Sequence, residues 1–326
     1  MRRGTIFKWI ATPLLAAVAL VLAGFLVFVP SPREPSYMYV KAWGEPGKAP
    51  GQFHDPTGIA VAGDEVFVAD SRNGRIQVFH DDGTFKRTFG TAGKGVGQLG
   101  RPMNLTIHDD ELYVAEYFND RIQVFALDGT PGRTIGQPGT GPGQFNAPGG
   151  VAVTDDGSIY VADFYNHRIQ VLDRDGRFVS QLGDTGESGS TAGRFGYPTD
   201  VAVAPDGVLY VADGYNDRIQ AFESNGGFVR KWGGPFGMNI FGPFSGWFAT
   251  VTGIAVGPDG HIFVADFYND RIQKFAADGT FLTAFGETGS GPGQFNHPIA
   301  VAVAADGAVY VADFSNHRVQ KWRPAP

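Results

Sequence analysis

Apolar residues fall along the chain in two patterns. From Trp9 to Val29 they form one unbroken run, WIATPLLAAVALVLAGFLVFV. Beyond Tyr37 they come in short clusters, such as Val66-Phe67-Val68-Ala69 and Ile76-Gln77-Val78-Phe79, separated by glycine, aspartate and asparagine. The first pattern predicts a membrane-spanning helix, because about 21 residues at ~1.5 Å each give ~31 Å, the hydrocarbon thickness of a bilayer. The second predicts short β-strands joined by tight turns.

Arg2, Arg3 and Lys8 precede the apolar run and Pro30-Ser31-Pro32 ends it. The positive-inside rule then leaves residues 1–8 in the cytoplasm and exports everything after the helix over 9–29, with 30–36 as a linker. The ring-forming part is therefore expected to be periplasmic or extracellular, with the bilayer as one partner through the anchor. A cleaved signal peptide is the alternative, but its apolar core is shorter and ends at an A-x-A-like site. Here Ala17-Val18-Ala19 lies in mid-run, and Phe25 stands where a lipoprotein box would place cysteine. One face of the helix carries the small residues Thr12, Ala16, Ala19 and Ala23, a spacing that lets another transmembrane helix pack closely.

The rest of the chain repeats itself. VFVADSRNGRIQVF (66–79), LYVAEYFNDRIQVF (112–125), IYVADFYNHRIQVL (159–172), LYVADGYNDRIQAF (209–222), IFVADFYNDRIQKF (262–275) and VYVADFSNHRVQKW (309–322) are variants of one segment. A period of this length marks a propeller or solenoid. Each unit reads as four strands, a to d. Asp-Gly pairs such as Asp156-Gly157 and Asp82-Gly83 supply the a–b and c–d turns. The sixth unit stops after strand c, whereas Tyr39-Val40-Lys41-Ala42-Trp43-Gly44 stands alone before the first and reads as a strand d. The N-terminal strand is thus expected to complete the sixth blade and close the ring, removing the sheet edges an open array would expose.

The pattern D-x-x-N-x-R-I-Q-V-F, preceded by G-Q-F-x-x-P-x-G-I-A-V, resembles the NHL repeat over residues 37–323. That resemblance implies an all-β, six-bladed β-propeller. It implies no single function, since propellers of this kind include binding scaffolds, sensor domains and a few enzymes.

Composition narrows the chemistry. Cysteine is absent, which excludes disulfides, thiolate metal sites and thiol nucleophiles. The net charge is −7 and becomes −10 without the three basic residues of the N-terminal tip, a poor match for nucleic acid. The Asp, Asn and Arg of the repeat, such as Asp163, Asn166 and Arg168, recur in nearly every unit and are read as loop-fixing scaffold. His167 and His317, at the variable position of N-x-R, are read the same way. No phosphate loop, nucleotide motif or Ser–His–Asp set interrupts the repeats, and no cofactor is expected.

Candidate sites are sought where the repeats deviate. The b–c and d–a loops leave a four-stranded blade on one face, the top. Five of the six b–c loop tips carry aromatics: Tyr117 and Phe118, Phe164 and Tyr165, Tyr215, Phe267 and Tyr268, and Phe314. They are expected either to present a ring of interface anchors or to pack beneath neighbouring loops. The d–a loop before blade five lacks G-Q-F and holds Phe236, Met238, Ile240, Phe241, Phe244, Trp247 and Phe248. An apolar cluster of this kind is expected to dock a partner; the alternative is a plug over the channel mouth. At the starts of the inner strands only Asn104 and Asp200 are polar. They are weak metal candidates, since calcium takes ~6–8 oxygens, and His54 and His297 lack a third histidine for zinc.

The expectation is therefore a membrane-anchored, non-catalytic protein-binding scaffold. Its partner would lie at or near the bilayer, transmembrane helices included, as for an accessory subunit of an electron-transfer or photosynthetic complex. The alternatives are a metal-dependent propeller hydrolase or lyase, and a sensor of a small extracellular ligand.

Overall fold

The computed structural model describes residues 29–326. The anchor expected over 9–29, with its face of Thr12, Ala16, Ala19 and Ala23, lies outside them apart from Val29. Among the described residues no helix is long and apolar enough to cross a membrane.

Six four-stranded antiparallel sheets form among these residues, one per repeat. In blade one the strands are Pro56–Ala62, Glu65–Asp70, Arg75–His80 and Phe85–Phe89, running a to d from the axis outward. Blades two to five span residues 102–135, 148–182, 198–232 and 251–285. Blade six takes Pro298–Val303, Val309–Asp313 and Arg318–Pro324 from the C-terminus, and its outer strand is Tyr37–Trp43. That strand pairs antiparallel with the last, from Tyr37 opposite Pro324 to Trp43 opposite Val319. The ring closes as the strand count requires.

The inner strands are built from small residues because neighbouring blades crowd the axis. A Cβ added to Gly58 would meet the Met103 carbonyl oxygen at 2.1 Å, and one on Gly253 would meet that of Ile299 at 2.6 Å. Apolar packing is concentrated between blades. One cluster joins Val66, Val68 and Phe79 of blade one to Tyr310, Ala312 and Val319 of blade six. Into each seam the d–a loop inserts one apolar side chain: Phe53, Leu99, Phe145, Phe195, Phe248 or Phe295, all buried. Phe248 therefore belongs to the core. The loop before blade five keeps the repeat's geometry in the form Gly246-Trp247-Phe248, with tryptophan replacing glutamine. Its Gly246 N–H donates to Gln273 Oε1 at 2.9 Å, as Gly143 does to Gln170.

The segment read as a linker is docked on blade five. The amides of Arg33 and Glu34 donate to the Leu282 carbonyl at 2.7 and 3.2 Å, and Ser36 Oγ donates to that of Ala284. Glu34 also pairs with Lys274 at 2.8 Å.

Candidate functional site: the top face and its axial pocket

The loops of the top face are held by a polar network that recurs in every blade. In blade three the buried Asp163 accepts from the Asn146 amide (2.8 Å), Asn166 Nδ2 (2.9 Å), Arg168 Nε (2.8 Å) and Gln170 Nε2 (3.1 Å). Blade two does the same with the longer Glu116. Burial raises the carboxyl of Asp163, and that of Asp266 to about 6, against the pull of the paired arginine and the donated hydrogen bonds. Satisfied in this way, the carboxylates clamp the b–c loop to the d–a loop and are scaffold, as the repetition suggests. The glutamines Gln77, Gln123, Gln170, Gln220, Gln273 and Gln320 complete the network. A sequence reading that stopped at Asp, Asn and Arg missed them, although the glutamine of R-I-Q recurs just as regularly.

A second device links blades. The residue between Asn and Arg sits in the left-handed region, with φ of 54° at His167 and 51° at Asp217. Its side chain accepts the N–H of the residue just before the next blade's inner strand. Asp120 takes Ala147 N, Asp217 takes Thr250 N and Asp270 takes His297 N, each at 2.7 Å. His167 takes Tyr197 N and His317 takes Asp55 N, both at 3.2 Å. The two histidines are thus structural acceptors, and burial lowers the His167 pKa.

On this scaffold the loop tips bring the aromatics together. Tyr117, Phe164, Tyr215, Phe267 and Tyr268 line a pocket of about 300 Å³ at the mouth of the axial channel, with Thr57, Thr199 and Thr252 below them. Tyr117 and Tyr165 meet hydroxyl to hydroxyl at 2.9 Å, and burial with that hydrogen bond raises the Tyr117 pKa. Phe118, Tyr165, Tyr215 and Tyr268 remain exposed. Phe118 and Tyr165 do not line the pocket but flank it on the outside.

Two members of this surface escaped the sequence reading. Tyr197 stands within 4.9–6.0 Å of the rings of Phe164, Tyr165 and Tyr215 and joins them into one stack. The Arg101 guanidinium lies 5.3 Å from the ring centres of both Tyr117 and Phe118. Both residues occupy the left-handed position just before the inner strand, where the six blades carry Asp55, Arg101, Ala147, Tyr197, Thr250 and His297. A position that varies inside an otherwise stereotyped loop was the available signal.

Asn104 and Asp200 do come together on the axis. Asn104 Nδ2 donates to Asp200 Oδ2 at 2.6 Å, the Ile254 amide donates to the same oxygen at 2.9 Å, and the Val201 amide to Oδ1 at 2.9 Å. Burial pushes the Asp200 carboxyl up to about 7. Both oxygens are engaged by donors, so the pair stitches three inner strands rather than presenting free ligands. His54 and His297 face different partners: His54 packs edge-on to His317, and His297 stacks on Phe267 at 4.6 Å.

The loop before blade five divides. Phe248 is core, packed 5.5 Å from Phe275. Met238, Ile240, Phe241 and Phe244 are exposed, Phe241 by 74 %. Phe244 and Trp247 meet edge to face at 5.1 Å. Phe236 lies in the short turn Pro235–Gly237. The part expected to dock is thus the tip, 238–244, without Phe248.

Comparison with known proteins agrees with this architecture. Residues 53–79, 145–172, 195–222, 248–275 and 295–322 match the NHL repeat. The chain carries NHL repeats on a six-bladed propeller. Blade two lies outside the match, and it is the blade that has Leu99 for phenylalanine and Glu116 for aspartate. A 53-residue stretch is 45 % identical to the Drosophila melanogaster protein brain tumor, covering 16 % of this chain and 5 % of that one. A 50-residue stretch is 48 % identical to the Caenorhabditis elegans B-box type zinc finger protein ncl-1, covering 15 % and 6 %. The match therefore spans only about a twentieth of either relative. Among solved structures, a Bacteroides thetaiotaomicron protein of unknown function superposes with a TM-score of 0.67 at 17 % identity, over 87 % of this chain and 76 % of its own. Streptogramin B lyase gives 0.59 at 16 % identity, over 89 % and 97 %. Hydrazine synthase of Kuenenia stuttgartiensis gives 0.57 at 13 %, over 84 % and 96 %. At these identities the likeness is one of fold.

Proposed function

We propose that this chain is a non-catalytic protein-binding propeller, held at a membrane by residues 9–29 with its ring on the periplasmic or extracellular side. Its partner is a protein at or near the bilayer, transmembrane helices included, and an accessory role in an electron-transfer or photosynthetic assembly fits this reading. The observation that carries it is the exposed aromatic and apolar surface of the top face: the rim from Tyr117 to Tyr268 and the loop tip from Met238 to Phe244. Aromatic side chains of this kind are the usual anchors of protein interfaces. Pro30 lies against Gly246, so the chain coming from the anchor meets the ring beside that loop. The test is purification from native membranes in mild detergent, with identification of the protein that stays bound. Recovery of the chain alone under several mild detergents counts against the reading.

A second reading is favoured by the axial pocket, whose size and lining of aromatic and threonine side chains suit a small ligand. It makes the protein a sensor or, were Asp200 to exchange the donors it now accepts for a metal, a metal-dependent hydrolase or lyase at Asn104 and Asp200. Asn104→Ala and Asp200→Ala leave partner binding unchanged on the first reading. Stoichiometric calcium or zinc in the purified protein, lost in Asp200→Ala, would establish the second.

A further inference from the structure

The six seams between blades are not equivalent. Five are bridged by the Asp or His side chain that accepts the next blade's N–H. At the seam between blades one and two the acceptor position is Gly74, and the N–H it would take belongs to Arg101. Here the top face opens into a groove of about 790 Å³, lined by Lys48, Arg72, Lys94 and Arg101, with Phe118 as an apolar wall.

The groove is cationic on a chain of net charge −7. Arg72 pairs with Asp55. Among the described residues no carboxylate pairs with Lys48, Lys94 or Arg101. Lys48 and Lys94 are exposed, on the d–a loops of the two adjoining blades. Arg101 is held in place by the faces of Tyr117 and Phe118 and borders both the groove and the axial pocket. We infer that this groove binds an acidic peptide segment, with carboxylates on Lys48, Lys94 and Arg101 and an apolar side chain against Phe118. Arg101 is the specific anchor, because a guanidinium fixed between two rings offers its fork to a carboxylate with little freedom left to lose. The groove's volume falls in the ~300–1,000 Å³ range of ligand sites. Three unpaired cations suit a short acidic segment; a nucleic acid backbone needs a longer basic track. The inference rests on the reading of the top face as protein-binding and assigns one part of that face to one kind of partner.

The test is fluorescence anisotropy with an end-labelled peptide of alternating glutamate and phenylalanine, on the full chain in mild detergent. The peptide binds wild type at low ionic strength and is released by salt. Lys48→Glu with Lys94→Glu weakens it by about tenfold or more, as reversal of steering charges does, at an unchanged melting temperature. Arg101→Gln weakens it as well, and Val179→Ser, an exposed change on the outer strand of blade three, leaves it unchanged. Equal binding to wild type and the double variant, no binding at low salt, or tighter binding of oligothymidylate than of the peptide would each overturn the inference. Co-purification from membranes reports on the top face as a whole and the peptide titration on the groove, so either can fail alone.

Discussion

Phe241 and Phe248 stand seven positions apart in one loop, and their replacement by serine should have opposite consequences. Phe241 is 74 % exposed and Phe248 fully buried. Complete burial of a phenylalanine is worth ~1.5–3 kcal/mol, so covering three-quarters of Phe241 in a complex contributes ~1–2 kcal/mol, a factor of about 5–30 in affinity. Its loss from the free ring should change stability by less than ~0.5 kcal/mol. Phe248 packs in the seam of blades four and five with Phe275, Val251 and Ile254. Gly233 (φ 122°) leaves the space its ring needs, since a Cβ there would lie 2.8 Å from it. Emptying that site costs ~3–5 kcal/mol, and at ~2–4 °C per kcal/mol the melting temperature falls by on the order of 10 °C. Circular dichroism measures the melting, and detergent co-purification measures retention of the partner. Phe241→Ser should melt like wild type and release the partner; Phe248→Ser should melt early. If Phe241→Ser melts as early as Phe248→Ser, the tip is a plug rather than a docking surface. If it melts normally and keeps the partner in full, the contact lies elsewhere.

Deleting residues 37–44 should lower the melting temperature of the whole ring, whereas deleting 1–30 should leave a folded domain; equal melting temperatures would contradict closure by strand Tyr37–Trp43. Asp213→Ala should cost ~3–5 kcal/mol, because it leaves the buried Arg218 with backbone acceptors but no counter-charge. Asp70→Ala should cost less, because Arg75 reaches solvent; urea unfolding of the two variants gives the order. Hydrogen bonds from Arg87, then Lys86, hold the Glu65 carboxyl at about 2 against an ordinary 4.5. Its stabilising share is complete above pH 4.5 and is lost as pH falls through 2. Thermal melts across that window should therefore show a shallower acid loss in Glu65→Gln than in wild type.

Closure was legible in the sequence because it needs only a strand count and an orphan strand at the start. The aromatic rim was legible because the loop tips recur at a fixed place in each repeat. Phe248 was misread for a specific reason: tryptophan in place of glutamine disguises Gly246-Trp247-Phe248, so a core residue looked like part of an insertion. Tyr197 and Arg101 were missed because strand periodicity carries no trace of a left-handed residue whose side chain turns back over the neighbouring loop. The docking of residues 33–36 was equally silent, since two of its hydrogen bonds come from backbone amides, which no side-chain pattern announces.

Pairing the first strand with the last also sets the order of events at synthesis. Tyr37 emerges 287 residues before its partner Pro324. At ~5–20 residues per second, that interval is about 15–60 s. Throughout it the sixth blade is unmade and strand Tyr37–Trp43 has no strand to pair with, although Trp43 can already meet Phe79 of blade one. Five blades can stack while the chain is still emerging, but the ring locks only when the final strand arrives. Every chain therefore passes through an open intermediate with an unpaired strand, which a chaperone or the strand of a second copy can reach first.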